Sequence, residues 1–191
     1  MILIGLTGVA GVGKDTVADY LVTRYGFEKK SFAAPLKQVL LHQDPIIGMD
    51  LRYPGMMIHL SDALKQYGED GVKEIYPLYR RYLQRLGTEG IRAIEPNFWV
   101  DASMRDLDPS RKYVFTDVRF PNESAAIGNY RGSVWQVDGP RRRKAVPHSS
   151  ESFAGHMGEE HLLLNNGSMD KLYNEVEYAL GLLNWKEAVA A

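Results

Sequence analysis

The sequence contains no cysteine, and this absence excludes disulfide bonds and thiolate metal sites. It also lacks an excess of charge of one sign, since 23 Lys and Arg stand against 24 Asp and Glu. Without a basic field, neither nucleic acid nor an anionic membrane is an expected partner. No apolar run approaches the roughly 20 residues that a membrane span needs. We therefore expect a cytoplasmic protein, a monomer or homodimer, that acts on small molecules.

What the sequence does contain is an alternation of short apolar strands with segments of helical periodicity. This alternation predicts one α/β domain over residues 1–191, with a parallel central sheet. Residues 43–71 are rich in Pro, Gly, Met and Asp, and we expect them to be irregular, with one short helix near 60–67. Predicted strands cover residues 1–6, 29–32, 112–117 and 133–137. Predicted helices start near residue 17 and cover 34–41, 77–94 with an interruption at Gly87, 98–105 and 169–185.

A glycine-rich segment follows the first predicted strand and precedes the first predicted helix. It fits the pattern G-x-x-x-x-G-K of a phosphate-binding loop (P-loop). Its glycines let consecutive backbone N–H groups point at phosphate oxygens, and the following helix dipole and one lysine add positive charge. The residues expected to bind ATP here are Gly8, Gly11, Val12, Gly13, Lys14, Asp15 and Thr16.

One position departs from the usual P-loop. Asp15 stands where a Ser or Thr hydroxyl normally meets Mg²⁺, and Thr16 follows one place later. Thr16 still offers a hydroxyl, whereas two roles fit Asp15: holding a metal-bound water or facing the acceptor. We expect Mg²⁺ near Asp15, Thr16 and Asp117, with water intervening where needed.

A P-loop alone leaves kinases, GTPases and motor ATPases open. The sequence has no N-K-x-D base-reading motif of a GTPase, and it lacks the size and layout of a motor ATPase. It does have clustered cations for a second phosphate, which a kinase requires. A kinase is therefore the favoured class.

Several separated motifs together resemble the deoxynucleoside monophosphate kinases of tailed bacteriophages. They lie at residues 8–16, 31–37, 83–89, 116–123 and 148–151. The resemblance implies a three-layer α/β/α P-loop kinase with a helical acceptor-binding region at about 43–106 and a lid at about 139–151. It also implies transfer of phosphate from ATP to a deoxynucleoside monophosphate (dNMP) with Mg²⁺, in the host cytoplasm if the chain comes from a phage.

Acceptor-binding residues are expected mainly in the second helical region. Basic side chains share one predicted helix with Gln84, which suits either a base edge or a phosphate. Trp99 has two interpretations, stacking on a base or packing in the core. Lys37 resembles the acceptor-side lysine of the family. The expected dNMP residues here are Lys37, Arg80, Arg81, Gln84, Gly87, Thr88 and Trp99.

A charged cluster follows the strand predicted at 112–117. In an open α/β sheet, a residue at the end of such a strand lies at the edge where ligands bind. Asp117 therefore suits a water-mediated Mg²⁺ contact, an ion pair with Arg119 or a bond to the acceptor sugar. The resemblance implies that Asp117, Arg119 and Glu123 face the acceptor. The predicted catalytic residues are Lys14, Asp15, Arg81, Asp117 and Arg119.

Four successive cations at residues 141–144 have two interpretations. Such a run is usually a solvated or nonspecific nucleic-acid-binding segment, but in a kinase it also suits a lid over the phosphates. We assign Arg141 and Arg143 to ATP. The alternatives for the whole chain are another small-molecule P-loop kinase, such as one resembling phosphomevalonate kinase, and a nucleotide-binding module without turnover.

Overall fold

A computed structural model describes residues 1–140 and 158–190, with side chains described as far as residue 183. The chain forms two compact units. Unit one comprises Met1–Phe32 and Asp106–Ala191, and unit two comprises Ala33–Arg105. All but the last residue of the predicted acceptor-binding region, 43–106, belongs to unit two.

The strands along the described chain are β1 (Ile2–Thr7), β2 (Glu28–Lys30), β3 (Ile46–Met49), β4 (Met57–His59), β5 (Lys112–Phe115), β6 (Ser133–Asp138) and β7 (His161–Leu164). The helices are α1 (Lys14–Tyr25), α2 (Ala34–Gln43), α3 (Leu60–Ile75), α4 (Pro77–Gln84), α5 (Arg92–Ile94), α6 (Phe98–Met104), α7 (Pro121–Asn129) and α8 (Met169–Ala190). A π-helical segment, Arg85–Ile91, joins α4 to α5.

Unit one is built on a five-stranded sheet in the order β2-β5-β1-β6-β7, and every neighbouring pair is parallel. Side chains alternate along β1 as its pleat requires. Ile4 and Leu6 join a core with α1 and α8 on one face of the sheet. On the other face, a side chain at Gly5 would collide with Ile127 of α7. The predicted α/β fold with a parallel central sheet and flanking helices is confirmed.

The placement of these helices follows from the directions of the crossovers. The chain passes from β1 through α1 to β2 in one direction, and from β5 through α7 to β6 in the other. Right-handed crossovers in opposite directions place their helices on opposite faces. The strand order thus reverses around β1, which is where open α/β sheets bind ligands at the carboxyl ends of their strands.

Unit two is mainly helical, with a two-stranded antiparallel sheet, β3 and β4. Its core gathers Leu40, Ile47, Ile58, Val72 and Tyr79. The prediction of a short helix near 60–67 is confirmed by the part of α3 before Gly68, whereas the prediction that the rest of 43–71 is irregular is wrong, since it contains both strands. Helix α3 is broken at Gly68, whose φ of 65° and ψ of 174° suit only glycine.

Two other elements went unpredicted, α7 and β7. The α-helix predicted over 77–94 is interrupted around Gly87 as expected, by a π-helical segment and not by a loop. None of the described helices has the length and apolar character needed to cross a bilayer.

Candidate active site

The P-loop has the backbone conformation that its glycines predict. Gly8, Gly11 and Gly13 have φ values of 131°, 78° and 112°. Such values are open to glycine and costly for residues with a Cβ atom. Lys14 opens α1, and its Nζ donates hydrogen bonds to the carbonyl oxygens of Gly8 at 2.7 Å and Val9 at 3.0 Å. The ammonium charge is thereby held against the loop at the positive end of a helix dipole.

Neighbouring segments press closely on both ends of this loop. A Cβ atom on Gly8 would lie 2.3 Å from the carbonyl oxygen of Val137 in β6. A Cβ atom on Gly13 would lie 2.4 Å from Nδ2 of Asn165, directly after β7. The loop therefore packs against the main chain of β6 at Gly8 and against the buried side-chain amide of Asn165 at Gly13. A larger residue at either position would clash with these atoms and would also need an unfavourable φ.

Asp15 and Thr16 occupy the first turn of α1. The Asp15 side chain is 82% exposed, and its Oδ1 lies 3.5 Å from Nζ of Lys29. Lys29 makes a shorter contact, 2.7 Å, with Asp19. Hydrogen bonds and charge interactions with these two aspartates outweigh the effect of burial, so the pKa of Lys29 is raised. Thr16 is half-buried.

The donor set suits Mg²⁺ bound mainly through a nucleotide. Among the described residues, no three His, Cys, Asp or Glu side chains lie close enough to form a metal cage. Mg²⁺ usually takes one or two protein oxygens and completes its shell with phosphate and water. The hydroxyl of Thr16 and the carboxylates of Asp15 and Asp117 are oxygen ligands of that kind.

Asp117 lies where the sequence predicts it, just past the carboxyl end of β5. The adjoining backbone bonds, Thr116 N–H to Lys30 O and Val118 N–H to Leu6 O, set it between the ends of β2 and β1. Its Oδ2 accepts a hydrogen bond from Ser31 Oγ at 2.7 Å and its Oδ1 accepts one from Phe32 N–H at 2.8 Å. Asp117 therefore fastens the chain that leaves β2, whatever else it binds.

Arg119 and Glu123 are linked through the backbone. Glu123 is 2% exposed, and its Oε2 accepts hydrogen bonds from the N–H groups of Arg119 at 2.7 Å and Phe120 at 3.1 Å. A carboxylate in the first turn of α7 is also stabilised by the positive end of the helix dipole. Glu123 thus fixes the backbone beneath Arg119, which is itself exposed at this edge of the sheet.

In unit two, Lys37 is paired with an acid that the sequence analysis missed. Its Nζ lies 2.7 Å from Oε1 of Glu69, which also contacts Lys73 one turn further along α3. Burial raises the pKa of the Glu69 carboxyl, but hydrogen bonds from the two lysines outweigh it, and the pKa is lowered. The break of α3 at Gly68 immediately precedes this residue.

Helix α4 and the π-helical segment carry the remaining acceptor candidates. Arg80, Arg81 and Gln84 are exposed and Thr88 is half-buried. Arg80 Nε donates to the carbonyl oxygen of Lys73 at 2.8 Å and so ties α4 to the end of α3. Arg81 lines an apolar cavity of about 480 Å³, together with Ile47, Gly48, Met49, Leu51, Ile75, Tyr76, Pro77 and Leu78. The cavity thus combines one cation with mostly apolar walls.

Gly87 and Trp99 are brought together inside unit two. Trp99 is 2% exposed, and its Nε1–H donates to the carbonyl oxygen of Gly87 at 3.0 Å. A Cβ atom on Gly87 would lie 2.6 Å from Cδ2 of Leu36. This geometry favours the core interpretation of Trp99 over base stacking, because the ring is buried and packs against the π-helical segment.

Arg141 and Arg143, and most of the predicted lid, lie outside the described residues.

Sequence reasoning missed Asn165 and Glu69. Asn165 directly follows β7, a four-residue strand whose short apolar run gave no signal distinct from a loop. Glu69 lies two residues before Gly71 in a segment expected to be irregular. Lys73 follows Glu69 by four residues, and this spacing of opposite charges is typical of a helix and could have indicated α3.

Comparison with known proteins agrees with this fold and with the predicted resemblance. No family model matches the chain. The solved structure of TT1252 from Thermus thermophilus superposes with a TM-score of 0.50 and 20% identity, over 95% of this chain and 97% of that one. Shikimate kinase from Bacteroides thetaiotaomicron gives a TM-score of 0.48 at 12% identity, over 96% and 98%.

A protein of Acanthamoeba polyphaga mimivirus, described as "Putative deoxynucleotide monophosphate kinase", is 30% identical over 196 residues. The match covers 92% of this chain and 94% of the viral protein. Bacteriophage origin stays a prediction. Identity at this level over nearly the whole of both chains, joined to the P-loop geometry above, shows that the chain is a P-loop kinase that belongs to the family of that viral protein.

Proposed function

We propose that the protein transfers the γ-phosphoryl group of ATP to a deoxynucleoside monophosphate, giving ADP and a deoxynucleoside diphosphate. The observation that carries the proposal is the conformation of the P-loop, with three left-handed glycines and Lys14 at the start of α1. A loop of this kind suits a triphosphate. The description of the viral relative supports a deoxynucleotide as the acceptor.

In the proposed reaction, a phosphate oxygen of the acceptor bonds to the γ-phosphorus while the bond to the β–γ bridging oxygen breaks. The acceptor oxygen is already anionic, so positioning and neutralisation of charge carry the catalysis. Lys14 would neutralise charge on the β and γ phosphates, and Mg²⁺, when bound, would supply further positive charge to the transferring group. Asp15, Thr16 and Asp117 are the residues proposed to hold Mg²⁺, directly or through water.

On the acceptor side, Arg119 of unit one and Arg81 of unit two are proposed to bind the monophosphate. Within unit two, the further proposed acceptor residues are Lys37, Arg80, Gln84, Gly87 and Thr88. An exposed arginine above a backbone fixed by Glu123 suits a phosphate, because guanidinium binds it in two-pronged fashion. An acceptor with an anionic phosphate and a planar aromatic base also suits the cavity that Arg81 lines, since the faces of a base pack against apolar walls. The predicted lid with Arg141 and Arg143 completes the proposal.

The test is an ADP-release assay with ATP and Mg²⁺ across the deoxy- and ribonucleoside monophosphates. We expect turnover with one or more deoxynucleoside monophosphates and little with phosphomevalonate. ATP binding without ADP release for every acceptor would overturn the kinase assignment. Turnover with phosphomevalonate alone would overturn the acceptor and leave the donor site standing.

A further inference from the structure

Asn165 is a buried polar residue that contacts the P-loop and has no role in the reaction proposed above. It follows β7 directly, is 7% exposed, and its backbone N–H donates to Asp138 O at 2.7 Å. Its side-chain Nδ2 donates to the carbonyl oxygen of Val12 at 2.8 Å. A buried amide that spans 153 residues of sequence to bond one loop carbonyl is a specific contact.

The bonded carbonyl belongs to the peptide unit that joins Val12 to Gly13. No cis peptide bond occurs among the described residues, so this unit is trans. In a trans peptide the C=O and the N–H point in opposite directions. Because Asn165 holds the carbonyl of Val12, the N–H of Gly13 points away from Asn165.

Asn165 also packs closely against Gly13, the other residue of this peptide unit. A Cβ atom there would lie 2.4 Å from Nδ2 of Asn165, so the amide packs directly on the glycine. The loop cannot rotate this peptide without losing the hydrogen bond and burying an unpaired carbonyl. The orientation of the Gly13 N–H group is therefore set from outside the loop.

We propose that Asn165 is a positioning residue for ATP, which fixes the Val12–Gly13 peptide so that the Gly13 N–H faces a phosphate oxygen. The inference rests on the proposed use of the P-loop for ATP. It assigns the residue a part in donor binding and none in acceptor binding. A residue that only filled core space would affect both substrates alike.

The experiment compares N165A, N165S and N165D with N166A. Asn166 is the matched control, since it is an exposed asparagine whose Oδ1 accepts a hydrogen bond from Lys171 Nζ. Michaelis constants for ATP and for the monophosphate are measured separately, and the ATP dissociation constant is measured by titration. All assays run at a temperature where circular dichroism shows every variant folded.

For N165A we expect the ATP dissociation constant to rise about five- to tenfold, as loss of one buried hydrogen bond implies. N165S retains a donor and should lose less. N165D should lose more, because it sets a carboxylate against the Val12 carbonyl and near a triphosphate. The Michaelis constant for the monophosphate and all constants of N166A should stay within about twofold of the parent, below the effect of a single hydrogen bond.

Unchanged ATP binding in N165A would overturn the inference, and so would an equal rise in both Michaelis constants. Failure of the proposed function is separable from failure of this inference. If the parent protein binds ATP but releases no ADP, the kinase reaction is wrong, while the ATP titration still tests Asn165.

Discussion

The two units hold their candidate groups in different ways. In unit one, the P-loop is shaped by backbone: three glycines at positive φ, a lysine bonded to loop carbonyls and a neighbouring strand carbonyl pressed on Gly8. In unit two, the candidates are long side chains such as Arg81 and Gln84 at exposed positions on a helix. Within residues 1–140 and 158–190, neither makes a side-chain hydrogen bond to protein. The proposed donor site is thus built into the fold, whereas the proposed acceptor site depends on individual side chains.

This difference has a consequence for how the two sites can change. Main-chain geometry is insensitive to most substitutions and acutely sensitive to those that add a Cβ atom at a glycine. Side chains on an exposed helical face can be replaced with little effect on folding. We therefore expect substitutions in unit one to act on ATP and on stability together, and substitutions on the face of α4 to act on the acceptor alone.

The largest effect should come from Lys14→Ala. The ammonium carries a full charge at the start of α1, and the proposed reaction uses it on the transferring phosphate. Removing a comparable charge-stabilising donor lowers kcat by about a hundredfold or more. Initial rates at saturating substrates measure the loss, with Lys65→Ala as the control, since that lysine is exposed and pairs with Asp62 on the same helix. A Lys14 variant with the parent rate would refute the donor site.

Paired glycine substitutions sharpen the comparison directly. Gly8→Ala places a Cβ atom 2.3 Å from the backbone oxygen of Val137 at a φ of 131°, and neither can relax cheaply. We expect a loss of stability of about 2–4 kcal/mol together with loss of ATP binding. Gly87→Ala meets only the movable end of Leu36, so its cost should be about 1 kcal/mol.

Thermal unfolding and ATP titration of both variants decide the point. Equal destabilisation by Gly8→Ala and Gly87→Ala would contradict the view that close main-chain packing distinguishes the proposed donor site from the π-helical segment. An increase in the Michaelis constant for the monophosphate in Gly87→Ala, with ATP binding retained, would place the π-helical segment on the acceptor side.

Arg81→Ala should act on one substrate only. The guanidinium lines the apolar cavity of unit two, and loss of a charge-assisted phosphate contact should raise the Michaelis constant for the monophosphate about tenfold. ATP binding and the unfolding temperature should change little, because the side chain is exposed. Arg105→Ala, at an exposed position after α6, is the control. A rise in the Michaelis constant for ATP instead would move Arg81 to the donor.

The sequence predicted the parts of this molecule that strong local signals determine. The P-loop pattern, its flanking strand and helix, and Asp117 at a strand end all lie where expected. Local signals gave no access to Asn165, since its bond to Val12 joins residues 153 apart. They also could not distinguish Glu123 as an acceptor ligand from Glu123 as the cap of α7, because both uses need a carboxylate at that spacing.

The smallest effect is expected for Glu69→Gln. This substitution tests whether the lysines of unit two contribute little to its stability, as the comparison of the two units implies. Glu69 pairs with Lys37 and Lys73, but its side chain is 37% exposed, so solvent screens the pairs. We expect a loss of about 0.5 kcal/mol in the free energy of unfolding at neutral pH, with Glu74→Gln on the same helix as the control.

The pH dependence of that loss has a definite sign. Because the folded pKa of Glu69 lies below its ordinary value of 4.5, the carboxylate contributes stability above that value and loses it as the pH falls through the folded pKa. The difference between the parent and Glu69→Gln should therefore be constant at neutral pH and shrink below about pH 4.5. Urea unfolding of both proteins between neutral and acid pH measures it. A difference that grew on acidification would mean that the lysine pairs do not stabilise the charged form, and that Lys37 is held by something other than Glu69.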